Sequence, residues 1–184
     1  REVEKGTLAK KDVLQRTIKR MLKDPRSRSI AENFGLQWLH LDVLDRHRPD
    51  PDRFPNINID LRQAMQQETI HFLDYVLRRD LLVDELVNAN YTFMNSALAE
   101  HYGFRPIPSG KYRRVRTPNE SLGLLRHASV LMATSNPTRT SPVKRGKWVL
   151  TSLLDAPPPP APPGVDGLTA DGQVEGLSLR EQME

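Results

Sequence analysis

Three groups of residues in this chain are of a type and spacing that could do chemistry. The first is Glu68, which falls in the middle of the stripe Leu61, Met65, Phe72, Tyr75 and Val76. A carboxylate on an apolar helix face needs partners or a raised pKa, because burying its charge unpaired is costly. Two readings are open. Glu68 is either ion-paired with an Arg from another helix, or a proton-handling group with His71 one turn away on the neighbouring face. No second acid stands at a defined spacing, so an acid/base pair is not established. The second group is Arg139, Lys144, Arg145 and Lys147 with Trp148, gathered around a helix that starts at Ser141-Pro142. Cations at a helix N-terminus oppose the macrodipole, so they imply a nearby anion, a carboxylate of the chain or a bound group, unless they form a solvated basic face. The third is Arg113 and Arg114, which with Arg105, Lys111 and Arg116 surround Tyr112 and Val115.

Composition narrows what these groups can be. There is no Cys, which excludes disulfides, thiolate metal sites and haem attachment within these residues. The five His, at 40, 47, 71, 101 and 127, include no HExxH and no i, i+4 pair, so no metal site is positioned. His40 lies beside the seam of its helix and reads as packed or solvent-facing. No run of eighteen apolar residues exists, so no membrane span is expected. Net charge is +4, unevenly spread. From Asp155 onward six acids face Arg180 alone, a balance of minus five, which leaves residues 1–154 at plus nine. Such a body attracts acidic partners, and its own tail could fold back on it. A Tyr among basic residues could stack a base, but the missing nucleic-acid motifs and the modest net charge argue against nucleic acid.

The elements that must position these residues are helices. Leu14, Ile18, Met21 and Leu22 mark one face of a helix from Lys11 to Lys23, ended by Asp24-Pro25. Ser29-Ile-Ala-Glu32 has capping-box form and opens a second helix with Ile30, Phe34, Trp38 and Leu41 on one face. Gly35 inside it costs up to about 1 kcal/mol relative to Ala, which implies a close approach by another helix. Residues 44–58 form a structured connection broken by Pro49, Pro51 and Pro55 and pinned by Phe54 and Ile57 or Ile59. Asp60, with Gln63 in the reciprocal position, is expected to cap the Glu68 helix. A short apolar helix follows over 80–88, and Thr92 is placed to cap a helix carrying Phe93, Ala97, Leu98 and Tyr102, closed by Gly103.

From 104 to 120, prolines and Gly110 exclude a helix, leaving a basic loop with room for one short β ribbon. Leu122 to Met132 reads as a helix or buried apolar segment. At Ser141-Pro142 an N-cap and a first-turn proline start the cationic helix, whose apolar side is Val143, Leu150 and Leu154 beside Val149 and Leu153. The run from Pro157 to Pro163 spans about 22 Å as polyproline II, and the acidic segment beyond it ends in what reads as the start of a helix. The expected fold is mainly α: an irregular helical domain over 1–103, a basic loop plus helices over 104–156, and an extended polyproline and acidic tail over 157–184. Because it opens on Arg1, the chain also reads as a piece of a longer protein.

Four stretches together resemble a known family: Ser29 to Leu41, Asp60 to Phe72, Asn90-Tyr-Thr-Phe-Met-Asn with His101-Tyr-Gly, and Thr138-Arg-Thr-Ser-Pro-Val-Lys-Arg-Gly-Lys-Trp-Val-Leu. They are similar to the planctomycete-type cytochrome-c-associated proteins, exported bacterial proteins built of consecutive domains of unknown function. The resemblance covers nearly the whole chain and would divide it near Gly103. It implies a periplasmic or otherwise exported parent in which a CxxCH haem segment follows the region resembling Leu177 to Glu184. The piece in hand would be haem-free, with haem c held by the parent. No catalytic residues carry over, and His127 departs from the polar uncharged residue common there.

Two functions follow as expectations. In the first, the helical body supports redox or electron transfer, its cationic helix meeting a downstream haem domain or an acidic redox partner. In the second, the basic loop with Arg113 and Arg114 and the polyproline rod dock a protein or anionic polysaccharide at the cell envelope. An enzyme acting through Glu68 and His71 is a third.

Overall fold

The computed structural model describes residues 3–4, 6–108, 110–117 and 123–159. The expectations for the tail beyond Pro159 lie outside the described residues. The described residues are mainly helical, 57% in helices and 7% in strands. Its centre is α3, Ile59–Arg79, whose inward face buries Leu61, Met65, Glu68, Phe72 and Val76. Against it pack α5 (Ser96–His101), α6 (Ala128–Ala133), the π-helical turn Ile30–Gly35 and strand β1 (Tyr91–Met94). Asn58, not Asp60, caps α3: its side-chain oxygen accepts from Leu61 N–H at 2.8 Å.

Helix α1, Lys11–Lys23, forms where the periodicity predicts it, yet none of its residues is buried. Leu14, Ile18 and Met21 remain exposed. The expected helix over 29–41 is remodelled. Ser29 makes no side-chain cap, the turn Ile30–Gly35 is π-helical, and only α2, Leu36–Trp38, follows as α-helix before a 3₁₀ segment, Leu41–Asp45. A π turn adds a residue to the helical repeat, so the buried positions become Ala31, Gly35 and Leu39. Ile30 and Phe34, expected inside, face out. Gly35 is where the close approach occurs: a Cβ there would lie 2.5 Å from Leu73 Cδ1 of α3.

Two further expectations are corrected. Only Glu85–Asn88 is helical in the apolar stretch 80–88 (α4), with Leu82 and Val83 exposed. Thr92 caps no helix but sits in β1, which pairs antiparallel with β2, Arg113–Arg116, in the register Thr92 to Val115. The alternation of Tyr91, Thr92, Phe93 and Met94 is the strand signal, since Thr92 and Met94 point inward. Asn95 caps α5 instead, accepting from Leu98 N–H at 3.0 Å. Gly103, at φ +71°, ends that helix with Phe104 N–H bonded back to the Ala99 carbonyl.

Helix α7, Pro142–Trp148, starts at the predicted Ser141 cap, whose hydroxyl accepts from Lys144 N–H at 3.3 Å. It continues as a π-helical segment, Val149–Leu153. Val143, Leu150 and Leu154 are exposed, while Trp148 and Ser152 are buried and Arg145 is half-buried, an inward line that keeps α-helical spacing. Two indoles clamp this end of the chain to the beginning. Trp148 Nε1–H donates to the Leu39 carbonyl at 2.8 Å, and Trp38 Nε1–H donates to the Ser152 carbonyl at 2.7 Å.

Candidate functional site

Glu68 is 1% exposed, and neither of the sequence readings describes its partners. No Arg reaches it. Its Oε1 accepts from the Thr92 hydroxyl of β1 at 2.5 Å and its Oε2 from the Tyr102 phenol, at the end of α5, at 2.7 Å. The Tyr102 oxygen in turn accepts from Ala128 N–H at the start of α6, at 2.7 Å. His127, also fully buried, places Nε2 3.4 Å from Thr92 Oγ1 and Nδ1 2.9 Å from Thr69 Oγ1, which lies 2.7 Å from Ser129 Oγ. One continuous polar chain therefore runs through the core from Tyr102 through Glu68, Thr92, His127 and Thr69 to Ser129.

Burial governs the protonation of this chain. Loss of water pushes Glu68 up to about 7, against which its hydrogen bonds from Thr92 and Tyr102 act only in part. The same desolvation drives His127 down to about 3, so its imidazole is neutral. Tyr102 is held well above the usual phenol range by burial and by the Glu68 carboxyl. Glu68, Thr92, Tyr102, Arg126 and His127 line a cavity of about 370 Å³ whose remaining wall is largely apolar. A carboxyl that titrates near neutrality against such a cavity can hold or release a proton there.

His71 belongs elsewhere. Its Nδ1 lies 3.3 Å from Arg28 Nη1, its ring stacks on Tyr112 at 4.6 Å, and burial with the Arg28 charge lowers its pKa. The His71 partnership with Glu68 is thus not formed. The residues missed by sequence reasoning are Thr92, Tyr102 and His127. Only the inward phase of Thr92 in a four-residue strand could have marked the first of them.

The cationic residues separate into two sets. Lys144 and Lys147 are exposed on α7. Arg139 and Arg145 turn instead toward a second cavity, of about 290 Å³, between α3, α6 and the loop 135–140. Trp148 is in the core, its indole N–H committed to Leu39, so it presents no face to a partner. Among the described residues no carboxylate stands at ion-pairing distance from Arg139, Lys144, Arg145 or Lys147; the ion pairs formed, such as Arg28 with Glu32 and Arg78 with Asp74, lie elsewhere. In the β ribbon, Arg114 is engaged by the protein itself, donating to Tyr75 Oη at 2.6 Å and lying 5.4 Å and 5.2 Å from the Tyr75 and Tyr91 ring centres. Arg113 is exposed.

Among the described residues no helix is long and apolar enough to cross a membrane, and no group of three His, Cys, Asp or Glu is placed to hold a metal ion. Fold and site define a mainly helical protein with a buried carboxyl network and an unmatched cationic helix. Residues 1–104 match the family model described as PSD4, protein of unknown function (DUF1592), and the chain belongs to that family. Residues 121–184 match PSCyt3, protein of unknown function (DUF1588), and both names mark planctomycete cytochrome-associated domains. No curated protein and no solved structure matches the chain.

Proposed function

We propose that this chain is a haem-free helical portion of an exported c-type cytochrome-like protein, and that it supports electron transfer by presenting the exposed cationic face of α7 to an acidic surface. That surface would be a haem-bearing domain of the same parent or a separate redox partner. The observation that carries the reading is that Lys144 and Lys147 project from α7 with no carboxylate of the described chain to match them. Unmatched like charges on one rigid helix raise the encounter rate with an anionic partner. The family names add the cytochrome association. This chain's own residues do not fit a haem: with no Cys it can form no thioether link, and no group of ligands converges among the described residues. Its part is therefore docking and orientation.

The test compares the parent chain with Lys144→Glu/Lys147→Glu for binding to an acidic c-type cytochrome at low salt and at about 0.2 M salt. The expected result is association that weakens with salt and falls about tenfold in the double variant. Equal binding by both proteins would overturn the reading. In the envelope-docking alternative Arg113 and Arg114 are both exposed, and Arg114 is already engaged by Tyr75.

A further inference from the structure

The second cavity has features that a solvated basic face does not. Its floor is apolar, with Phe54, Ile57, Met65 and Met132. Above it the loop 135–140 folds back on itself through the Ser135 to Thr140 bridge and the bond from Asn136 N–H to the Arg139 carbonyl at 2.8 Å. The loop is fastened to the 44–58 connection by Asp50 N–H on the Pro137 carbonyl at 3.0 Å. Arg139 lines the cavity with its Nε buried and without a hydrogen-bond partner. Arg145 lines it too, and its Nε makes only a long contact, 3.4 Å, with Thr134 Oγ1, a hydroxyl already bonded to the Val130 carbonyl at 2.8 Å.

Among the described residues no acid lines the cavity. The nearby Asp50 carboxylate is occupied by the backbone N–H groups of Asp52 and Arg53. The other titratable groups lining the cavity are Tyr102, whose hydroxyl is committed to Glu68, and two imidazoles, His47 and His101. Both imidazoles are held below their ordinary range, His101 by burial and His47 by burial with the charges of Lys144 and Arg62 added. The pocket is thus positive, with neutral imidazoles able to donate one further hydrogen bond.

We propose that this cavity binds a small organic carboxylate, its anionic end held by Arg139 and Arg145 and its apolar body against Met65, Met132 and Ile57. Two guanidiniums favour the forked recognition of a planar anion, and a partly buried Arg with an unsatisfied N–H is stabilised by any acceptor that reaches it. Size sets the body. The volume is about twice that of an engineered cavity of about 150 Å³ that takes benzene, so one aromatic ring with a short acid arm fits. The apolar floor disfavours bare phosphate, which would leave it uncovered. This inference is separate from protein docking through Lys144 and Lys147, which are exposed on α7 and do not line the cavity.

The experiment titrates the whole chain with phenylacetate, benzylamine and inorganic phosphate while following the methyl signals of Met65 and Met132 by NMR. Saturable shifts with phenylacetate, none with benzylamine and at least about tenfold weaker binding of phosphate are expected. Arg139→Gln should weaken phenylacetate binding about tenfold, and Arg139→Lys, which keeps the charge and loses the fork, should weaken it too. The second variant carries the test if the first does not fold. Lys147→Glu, which spares the Lys144 charge that acts on His47, should weaken cytochrome docking and leave phenylacetate binding within about twofold, so failure of the docking reading and of this one are told apart. Equal shifts with benzylamine, phosphate binding as tight as phenylacetate, or unchanged affinity in both Arg139 variants would each overturn the assignment.

Discussion

Replacing Glu68 by Gln tests the protonation of the buried chain through its effect on stability. In the folded protein the Glu68 carboxyl titrates at about 7, against a reference of 4.5. The folded state therefore holds the proton more tightly, and the stability this supplies is fully present below 4.5 and lost as pH rises to about 7. At about 1.4 kcal/mol per unit the loss is about 3 kcal/mol. His127 works the other way. Its folded value is about 3 against 6.5, so its stabilising share is present above 6.5 and lost as pH falls toward 3, about 5 kcal/mol in all. Between 4.5 and 6.5 the two slopes oppose and largely cancel. Glu68→Gln removes one of them. The variant should nearly equal the parent at pH 5 and exceed it at pH 8 by up to about 3 kcal/mol, or roughly 6–12 °C in Tm for a chain of this size. The Gln amide can still meet both hydroxyls, because Thr92 can turn its proton toward His127 and Tyr102 can accept as well as donate. His47, His71 and His101 are also lowered, but they titrate alike in both proteins and drop out of the difference. Urea unfolding midpoints of the two proteins from pH 4.5 to 8 provide the measurement. A difference that stays flat over this range, or a variant weaker at pH 8 by the 3–5 kcal/mol typical of a broken buried ion pair, would refute the reasoning.

Two smaller predictions concern the scaffold. Asn58→Ala should cost about 1 kcal/mol in chemical denaturation and Asp60→Ala distinctly less, because Asn58 supplies the cap of α3. Gly123→Ala should lower the unfolding midpoint more than Gly35→Ala. At Gly123 (φ +44°) a Cβ would meet the Leu86 backbone carbonyl, which cannot give way, whereas at Gly35 it meets the far end of the Leu73 side chain, for a cost of about 1–3 kcal/mol.

Glu68 was legible as a buried carboxyl because its burial follows from α-helical phase alone, and α3 is a long, regular helix. Its partners were not, because each depends on a local departure from that regularity. Thr92 reaches Glu68 only because Tyr91 to Met94 extends as a strand, and a four-residue strand paired across an intervening helix and loop leaves little periodic signal. The buried stripes are displaced in two other places. At Ile30–Gly35 a π-helical turn adds a residue, so apolar positions counted at 3.6 per turn point outward and their neighbours inward. Over residues 142–153 the spacing stays α-helical, and the inward line is chosen by the two indole bonds rather than by Val143, Leu150 and Leu154. The single-turn cap at Ser141 and the Gly103 stop depend only on adjacent residues, and both were readable directly.

The displaced phase at the C-terminal end bears on function. Had α7 kept its expected face, Val143, Leu150 and Leu154 would be buried and all the cations would share one solvated side. Instead the buried line runs through Trp148 and Ser152, with Arg145 half-buried on it one turn before. The indole N–H bonds to Leu39 and from Trp38 to Ser152 fix that rotation. They divide the cationic cluster by geometry: Lys144 and Lys147 stay in solvent, where charge acts at long range, while Arg139 and Arg145 line a cavity, where charge acts by contact and shape. The two proposals therefore rest on one short helix and the loop before it, and the rotation of that helix is set by contacts to residues more than a hundred positions earlier in the chain.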